Sequence, residues 1–183
     1  MRIIAGLWRG RKLVAPTGEQ TRPTSERARE ALFSMLQSRL GSFEDLHILD
    51  ICAGTGALGL EALSRGAAHV LFIENDAGAL KALRQNISLC GAQAKSQVLA
   101  QDAAKLGQAR SAYHLALIDP PYQKQLVPEI LERLHAGAWL EAGALVSVEM
   151  AREEELAAAH YESIVTRTHG KAALHLLRYT PQG

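Results

Sequence analysis

Asp119-Pro120-Pro121-Tyr122 follows directly on the apolar run Leu115-Ala116-Leu117-Ile118, so a carboxylate, a stiff double proline and an aromatic ring stand together at the exit of an expected strand. Each proline fixes φ at about −65° and lacks an N–H, so the loop continues neither as a helix nor as a central strand, and its carbonyls stay available as acceptors. An amino group on a flat ring would donate to the Asp119 carboxylate and the Pro120 carbonyl while Tyr122 stacks on the ring face. The same four residues also read as a plain strand-to-loop exit, and a second motif upstream weighs against that reading.

The second motif is Leu49-Asp50-Ile51-Cys52-Ala53-Gly54-Thr55-Gly56-Ala57-Leu58-Gly59, a glycine-rich turn between an apolar strand and an apolar helix. Gly54, Gly56 and Gly59 satisfy G-x-G-x-x-G, a spacing that lets backbone approach a ligand and adopt positive φ. Glu74 closes the next apolar run, Val70-Leu71-Phe72-Ile73, where an acidic side chain accepts from ribose hydroxyls. Alone, this pattern fits a nicotinamide-dinucleotide enzyme as well as one using S-adenosylmethionine (SAM). Asp50, set before the glycines, leans toward SAM, which has no pyrophosphate to bind. Asp102-Ala103, after a brief third strand, offers a carboxylate and N–H groups to an adenine, although a loop Asp capping a short helix reads equally well. Asn75 and Asp76 suit a helix cap, with Asn75 also able to line a pocket.

These positions need a scaffold, and 183 residues with 48% hydrophobic and 21% charged residues suffice for one well-buried core. The net charge of +1 hides an asymmetry: residues 1–30 carry seven Lys/Arg against three Asp/Glu, while the remainder is net acidic. Arg2, Arg9, Arg11 and Lys12 have no acid among the first twelve residues, which suits contact with a polyanion and equally a solvated basic edge strand. Cys52 and Cys90 form no C-x-x-C pair, and the seven scattered His suggest no ligand set, so neither a disulfide scaffold nor a metal site is expected. The chain has no apolar run of about eighteen residues and no evident leader, so a soluble cytoplasmic protein without a membrane partner is expected.

Two parts are expected: residues 1–24, a β-hairpin over 2–15 turning at Arg9-Gly10 with a Pro/Gly/Thr-rich link, and residues 25–183. Apolar residues at 28, 32, 35, 36 and 40 predict a helix from Ser25 to Leu40, stopped by Gly41. Strands are then expected over 46–51, 69–74, 97–100, 113–118 and 144–148, with helices over 57–65, 77–90, 126–135 and a charged one over 152–159. A final hairpin over 161–168 and 172–180 turns at His169-Gly170-Lys171. Apolar strands separated by helices imply a parallel sheet covered on both faces, with ligands beyond the strand C-terminal ends. Asp50 and Gly54, Glu74, Asp102 and Asp119 all fall on that rim.

With both motifs present, the chain resembles class I SAM-dependent methyltransferases carrying the N/D-P-P-Y/F signature of exocyclic-amine methylation. Arg2-Ile3-Ile4-Ala5-Gly6, Trp8-Arg9-Gly10-Arg11-Lys12-Leu13, Thr21-Arg22-Pro23-Thr24, Arg27-Ala28-Arg29-Glu30 and Gly56-Ala57-Leu58-Gly59-Leu60-Glu61-Ala62-Leu63-Ser64-Arg65-Gly66 sharpen the resemblance to the RsmD family, which methylates the N2 amine of one guanine in bacterial 16S ribosomal RNA. The chain departs from it at Cys52, where the family often has Phe, and at His169, where an aromatic residue is usual. The resemblance implies an α/β, Rossmann-like fold: a mostly parallel seven-stranded sheet with helices on both faces, an antiparallel C-terminal hairpin and a small N-terminal β-hairpin. It further implies that Asp50, Ala53, Gly54, Thr55, Gly56, Glu74, Asn75, Asp102 and Ala103 bind SAM. Asp119, Pro120, Pro121 and Tyr122 would hold the flipped guanine, and Arg2, Arg9, Arg11, Lys12, Arg22 and Thr24 would contact RNA. The expected partner is ribosomal RNA within an assembled or assembling small subunit, met by a monomer that needs no metal. The alternatives are an N6-adenine methyltransferase on DNA or RNA, a dinucleotide-dependent oxidoreductase, and a non-catalytic RNA-binding domain.

Overall fold

The computed structural model describes residues 1–16, 26–121, 126–156 and 158–182. Seven strands, β1 (His47–Ile51), β2 (His69–Glu74), β3 (Ser96–Ala100), β4 (Tyr113–Ile118), β5 (Leu140–Ala151), β6 (Tyr161–His169) and β7 (Ala172–Tyr179), form one sheet in the order β3-β2-β1-β4-β5-β7-β6. The five strands from β3 to β5 run parallel, and β7 and β6 add antiparallel. Strand order reverses between β1 and β4, and that reversal opens a crevice beyond the two C-terminal ends. The glycine turn leaves β1 there, and Asp119 leaves β4 beside it.

Side-chain alternation splits the core into two layers. Ile48, Val70, Phe72, Leu115 and Leu117 face helices α1 (Glu26–Leu40), α2 (Ala57–Ser64) and α3 (Ala77–Cys90), meeting Phe33, Leu36, Leu60 and Leu83. Leu49, Ile51, Ile73, Ala116 and Val146 face the other way, onto Ile130, Leu131 and Leu134 of α4 (Leu126–Ala136). Glycines with positive φ follow α1 and α3, at Gly41 and Gly91, where the chain must leave the helix in a left-handed turn.

The N-terminal segment holds a single antiparallel bridge, Arg2 to Lys12, and its reversal takes residues 5–10 rather than Arg9-Gly10 alone. Ile3 N donates to the Arg11 carbonyl at 2.9 Å and Leu13 N to the Met1 carbonyl at 3.0 Å across the reversal, and α2 adds further order. Glu61, fully buried, accepts from Ile4 N at 2.7 Å, Ala5 N at 3.0 Å and Arg65 Nε at 2.8 Å. Ile3 and Leu13 then enter the core beside α1 and α2.

Two expectations are corrected. The helix expected over Arg152–Ala159 is absent from the described residues there. β5 stays paired with β7 as far as Ala151–Ala172, Arg152 N donates to the Lys171 carbonyl, and Leu156 and Ala158 pack on the second core layer, so tertiary contacts on either side of the Glu run override its helix propensity. β5 itself begins at Leu140 rather than 144, carried past Gly143, at φ 83°, by a register shift against β4.

Candidate active site

The glycine turn is built around a buried acid. Asp50 lies on the α2 face of β1, is 1% exposed, and its Oδ2 accepts from Gly59 N at 2.8 Å, so a carboxyl of the chain itself occupies the N-terminal end of α2. Burial pushes its pKa up to about 8, against the pull of the Gly59 N–H and with help from the charges of Asp119 and Glu74. A Cβ on Gly56 would lie 2.4 Å from Leu83 Cδ1, and one on Gly59 2.3 Å from Phe72 Cε1, so both glycines serve close packing. Gly54, at φ 55°, has nothing within 4 Å of that position. It alone of the three faces open space.

Glu74 organises the rim next to it. Its Oε2 accepts from Gly54 N at 2.8 Å, and its Oε1 accepts from Asn75 N and Asp76 N, each at 2.8 Å. Asp76 Oδ1 caps α3 through Ala79 N, and Asp102 Oδ1 accepts from Ala104 N, capping the short turn that follows β3. Cys52, at φ 59°, underlies the same space, where burial and the surrounding carboxylates push its thiol up to about 12.

A cavity of about 570 Å³ opens at the crevice, walled by Gly54, Glu74, Asn75, Asp102, Asp119 and Pro121 among others. Glu74, Asp76, Asp102, Asp119 and Glu129 give it five carboxylates, and no Lys or Arg lines it among the described residues. Gly54 N and Gly59 N are already spent on the carboxyl groups of Glu74 and Asp50, and Gly56 N donates to the Ala53 carbonyl at 2.7 Å. The cavity therefore suits a cationic ligand with hydroxyl donors and repels a pyrophosphate, which argues against a dinucleotide. Asp119 also borders a second, narrow groove on the α1 side, with Ser147, Glu149, His169, Ala28 and Leu32.

Of the residues singled out by sequence, Gly54, Glu74, Asn75, Asp102, Ala103, Asp119 and Pro121 meet on the large cavity. Asp50, Ala53, Thr55 and Gly56 lie in the buried layer beneath it. Pro120 is buried at the loop's root, and Tyr122, Arg22 and Thr24 lie outside the described residues. Arg2, Arg9, Arg11 and Lys12 are exposed; Arg2 pairs with Glu26 at 3.0 Å and Arg11 donates to the Leu89 carbonyl. Sequence reasoning missed Gln101 and Glu129 on the cavity wall, Glu149 on the groove, and Asn86. Asn86, with no exposed surface, donates to the carbonyls of Val14 and Thr55 and accepts from Val14 N, tying the N-terminal segment to the glycine turn. A polar residue next to Ile87 on the apolar face of α3 is the one signal that marks it.

A family model described as "Conserved hypothetical protein 95" matches residues 1–178. The chain is 36% identical over 185 residues to the Escherichia coli (strain K12) protein named "Ribosomal RNA small subunit methyltransferase D", covering all of this chain and 92% of that one. It is 37% identical over 161 residues to the Haemophilus influenzae protein of the same name, covering 85% and 81% of the two chains. A solved Escherichia coli structure superposes with a TM-score of 0.88 at 36% identity, covering 100% of this chain and 99% of that one. With the sheet order, the glycine turn and the Asp119 loop arranged as described, the chain belongs to the RsmD family of class I methyltransferases.

Proposed function

We propose that the protein transfers a methyl group from SAM to the exocyclic N2 amine of a guanine in small-subunit ribosomal RNA. The observation that carries this reading is that Asp119 stands on both concavities at once, the acidic cavity and the narrow groove. A donor in one and an amine in the other would meet at its carboxylate. The name of the Escherichia coli relative supports the substrate class.

The acidic cavity fits SAM on chemical grounds. Glu74 and Asp102 offer acceptors to ribose and base, and the remaining carboxylates complement a ligand that carries both an ammonium and a sulfonium. When bound, SAM supplies a methyl group on a positively charged sulfur. The residues of the chain prepare the acceptor. An N2 lone pair is delocalised into the guanine ring and must localise as the nitrogen attacks; Asp119 and the Pro120 carbonyl, accepting from its two N–H groups, favour that change and stabilise the charge that develops on nitrogen. Holding nitrogen in line with the methyl contributes much of the remaining acceleration. The alkylated nitrogen then loses its proton readily to water. Extrusion of the base costs a few kcal/mol, offset by stacking at Tyr122 and by phosphate contacts of the basic N-terminal segment.

Labelled-methyl transfer to small subunits from cells lacking the enzyme, followed by mass mapping, tests this. Label on the N2 amine of one guanine is expected; label on an adenine amine, or none, overturns it.

A further inference from the structure

We infer that Glu149 reads the ring N1–H of the target base and so restricts the enzyme to guanine, an inference that rests on the methyl-transfer reading above. Val148 pairs with Ile118 across β5 and β4, so the next residues along the two strands, Glu149 and Asp119, stand in adjacent register positions. Both border the narrow groove, above Ser147, which is 2% exposed and on the same strand face as Glu149. Ala28 and Leu32 of α1 form its apolar side, and His169, the last residue of β6, also lines it. The groove encloses about 20 Å³, so a purine addresses it by an edge and not whole.

Two carboxylates side by side select the edge they meet. Guanine presents its N2 amine next to a ring N1–H, a continuous row of donors. With the amine held at Asp119, the N1–H falls toward the neighbouring carboxylate. Adenine and cytosine carry their amines next to an unprotonated ring nitrogen, whose lone pair a second carboxylate repels. Asp119 alone grips any exocyclic amine. Glu149 beside it makes the choice, which the Asp-Pro-Pro-Tyr sequence does not.

The test uses small subunits reconstituted with ribosomal RNA carrying guanine or 2-aminopurine at the mapped position. 2-Aminopurine keeps the amine and removes the N1–H. The wild-type enzyme is expected to prefer guanine by about thirtyfold in kcat/KM. In Glu149→Gln, the guanine rate falls and the preference shrinks to about threefold, with SAM affinity unchanged because Glu149 lies off that cavity. Glu149→Asp keeps the charge and retains the preference at a lower rate. Equal use of the two bases by the wild type overturns the inference, as does a preference that survives in Glu149→Gln or vanishes in Glu149→Asp. Failure of the wild type to methylate guanine at all is a different result, visible in the first arm, and removes the methyl-transfer reading itself.

Discussion

Gly54 N donates to Glu74 Oε2 at 2.8 Å, so the one glycine of the turn that faces open space is fastened to the acid that ends the neighbouring strand. Two further amides, Asn75 N and Asp76 N, converge on the other oxygen. The β1 and β2 exits are thereby held at a fixed separation across the cavity wall, by a side chain whose remaining acceptor capacity faces the cavity.

Glu74→Gln replaces one of the two accepting oxygens with an amino group that faces an N–H donor. The loss of charge-assisted bonds predicts a decrease of about 2 kcal/mol in stability and a fall of about tenfold in SAM affinity. Thermal melting and calorimetric titration check both. Unchanged SAM affinity would remove Glu74 from the binding surface.

Asp50 predicts a pH dependence of stability. Folded, it keeps its proton to about pH 8; unfolded, it releases it near 3.8. The folded state therefore binds more protons across that window. The contribution of this group is complete below 3.8 and is lost as pH rises through about 8, by at most about 1.4 kcal/mol per pH unit. Urea melts at the two ends of the window are expected to show the wild type losing stability with rising pH relative to Asp50→Asn, which holds no titrating proton.

Asp119→Ala should leave SAM affinity nearly intact, because four other carboxylates still line the cavity, while lowering turnover about a hundredfold. Single-turnover methyl transfer separates the two. Wild-type turnover in this variant would place the accepting group elsewhere in the loop.

Much of this scaffold is legible in the sequence because its signals are local. The runs 47–51, 69–74 and 113–118 are short and largely apolar, and each ends within three residues of a Gly or an acid, Gly54, Glu74 or Asp119, which marks both the strands and the rim they end on. Helix α3 is bracketed by a capping Asp76 and a left-handed Gly91. The rest depends on long-range pairing. Glu149 is an ordinary strand residue until the register of β4 against β5 brings it beside Asp119. Asn86 binds groups 31 and 72 residues away, and no local period encodes that. The charged stretch after β5 carries helix propensity, and contacts at its two ends, Arg152 N with the Lys171 carbonyl and Leu156 and Ala158 on the core, outcompete it. Asp50 is legible as an acid before the glycines, but its burial against Gly59 N appears only when α2 packs.

Asn86 joins two parts of the molecule through fully buried hydrogen bonds, so its removal should be felt at both. Asn86→Ala strands the Val14 and Thr55 backbone groups and is expected to cost about 3 kcal/mol. Limited proteolysis should cut the N-terminal segment earlier than the rest of the chain. Cleavage that starts uniformly across the chain would show that Asn86 supports the fold as a whole and not the docking of that segment.

Arg9 and Lys12 are exposed, and neither makes an ion pair among the described residues, whereas Arg2 is paired with Glu26 and Arg11 donates to the Leu89 carbonyl. If the segment meets RNA phosphates, these two side chains are the ones with charge to give, and each phosphate they neutralise releases counterions. Changing both to Gln should weaken binding to small-subunit RNA and make the plot of log affinity against log salt shallower by about 1.5. Binding of the variant and the wild type is measured over a series of salt concentrations. Parallel plots, displaced or not, would assign the two charges to solvation of an exposed edge; converging plots would assign them to the RNA.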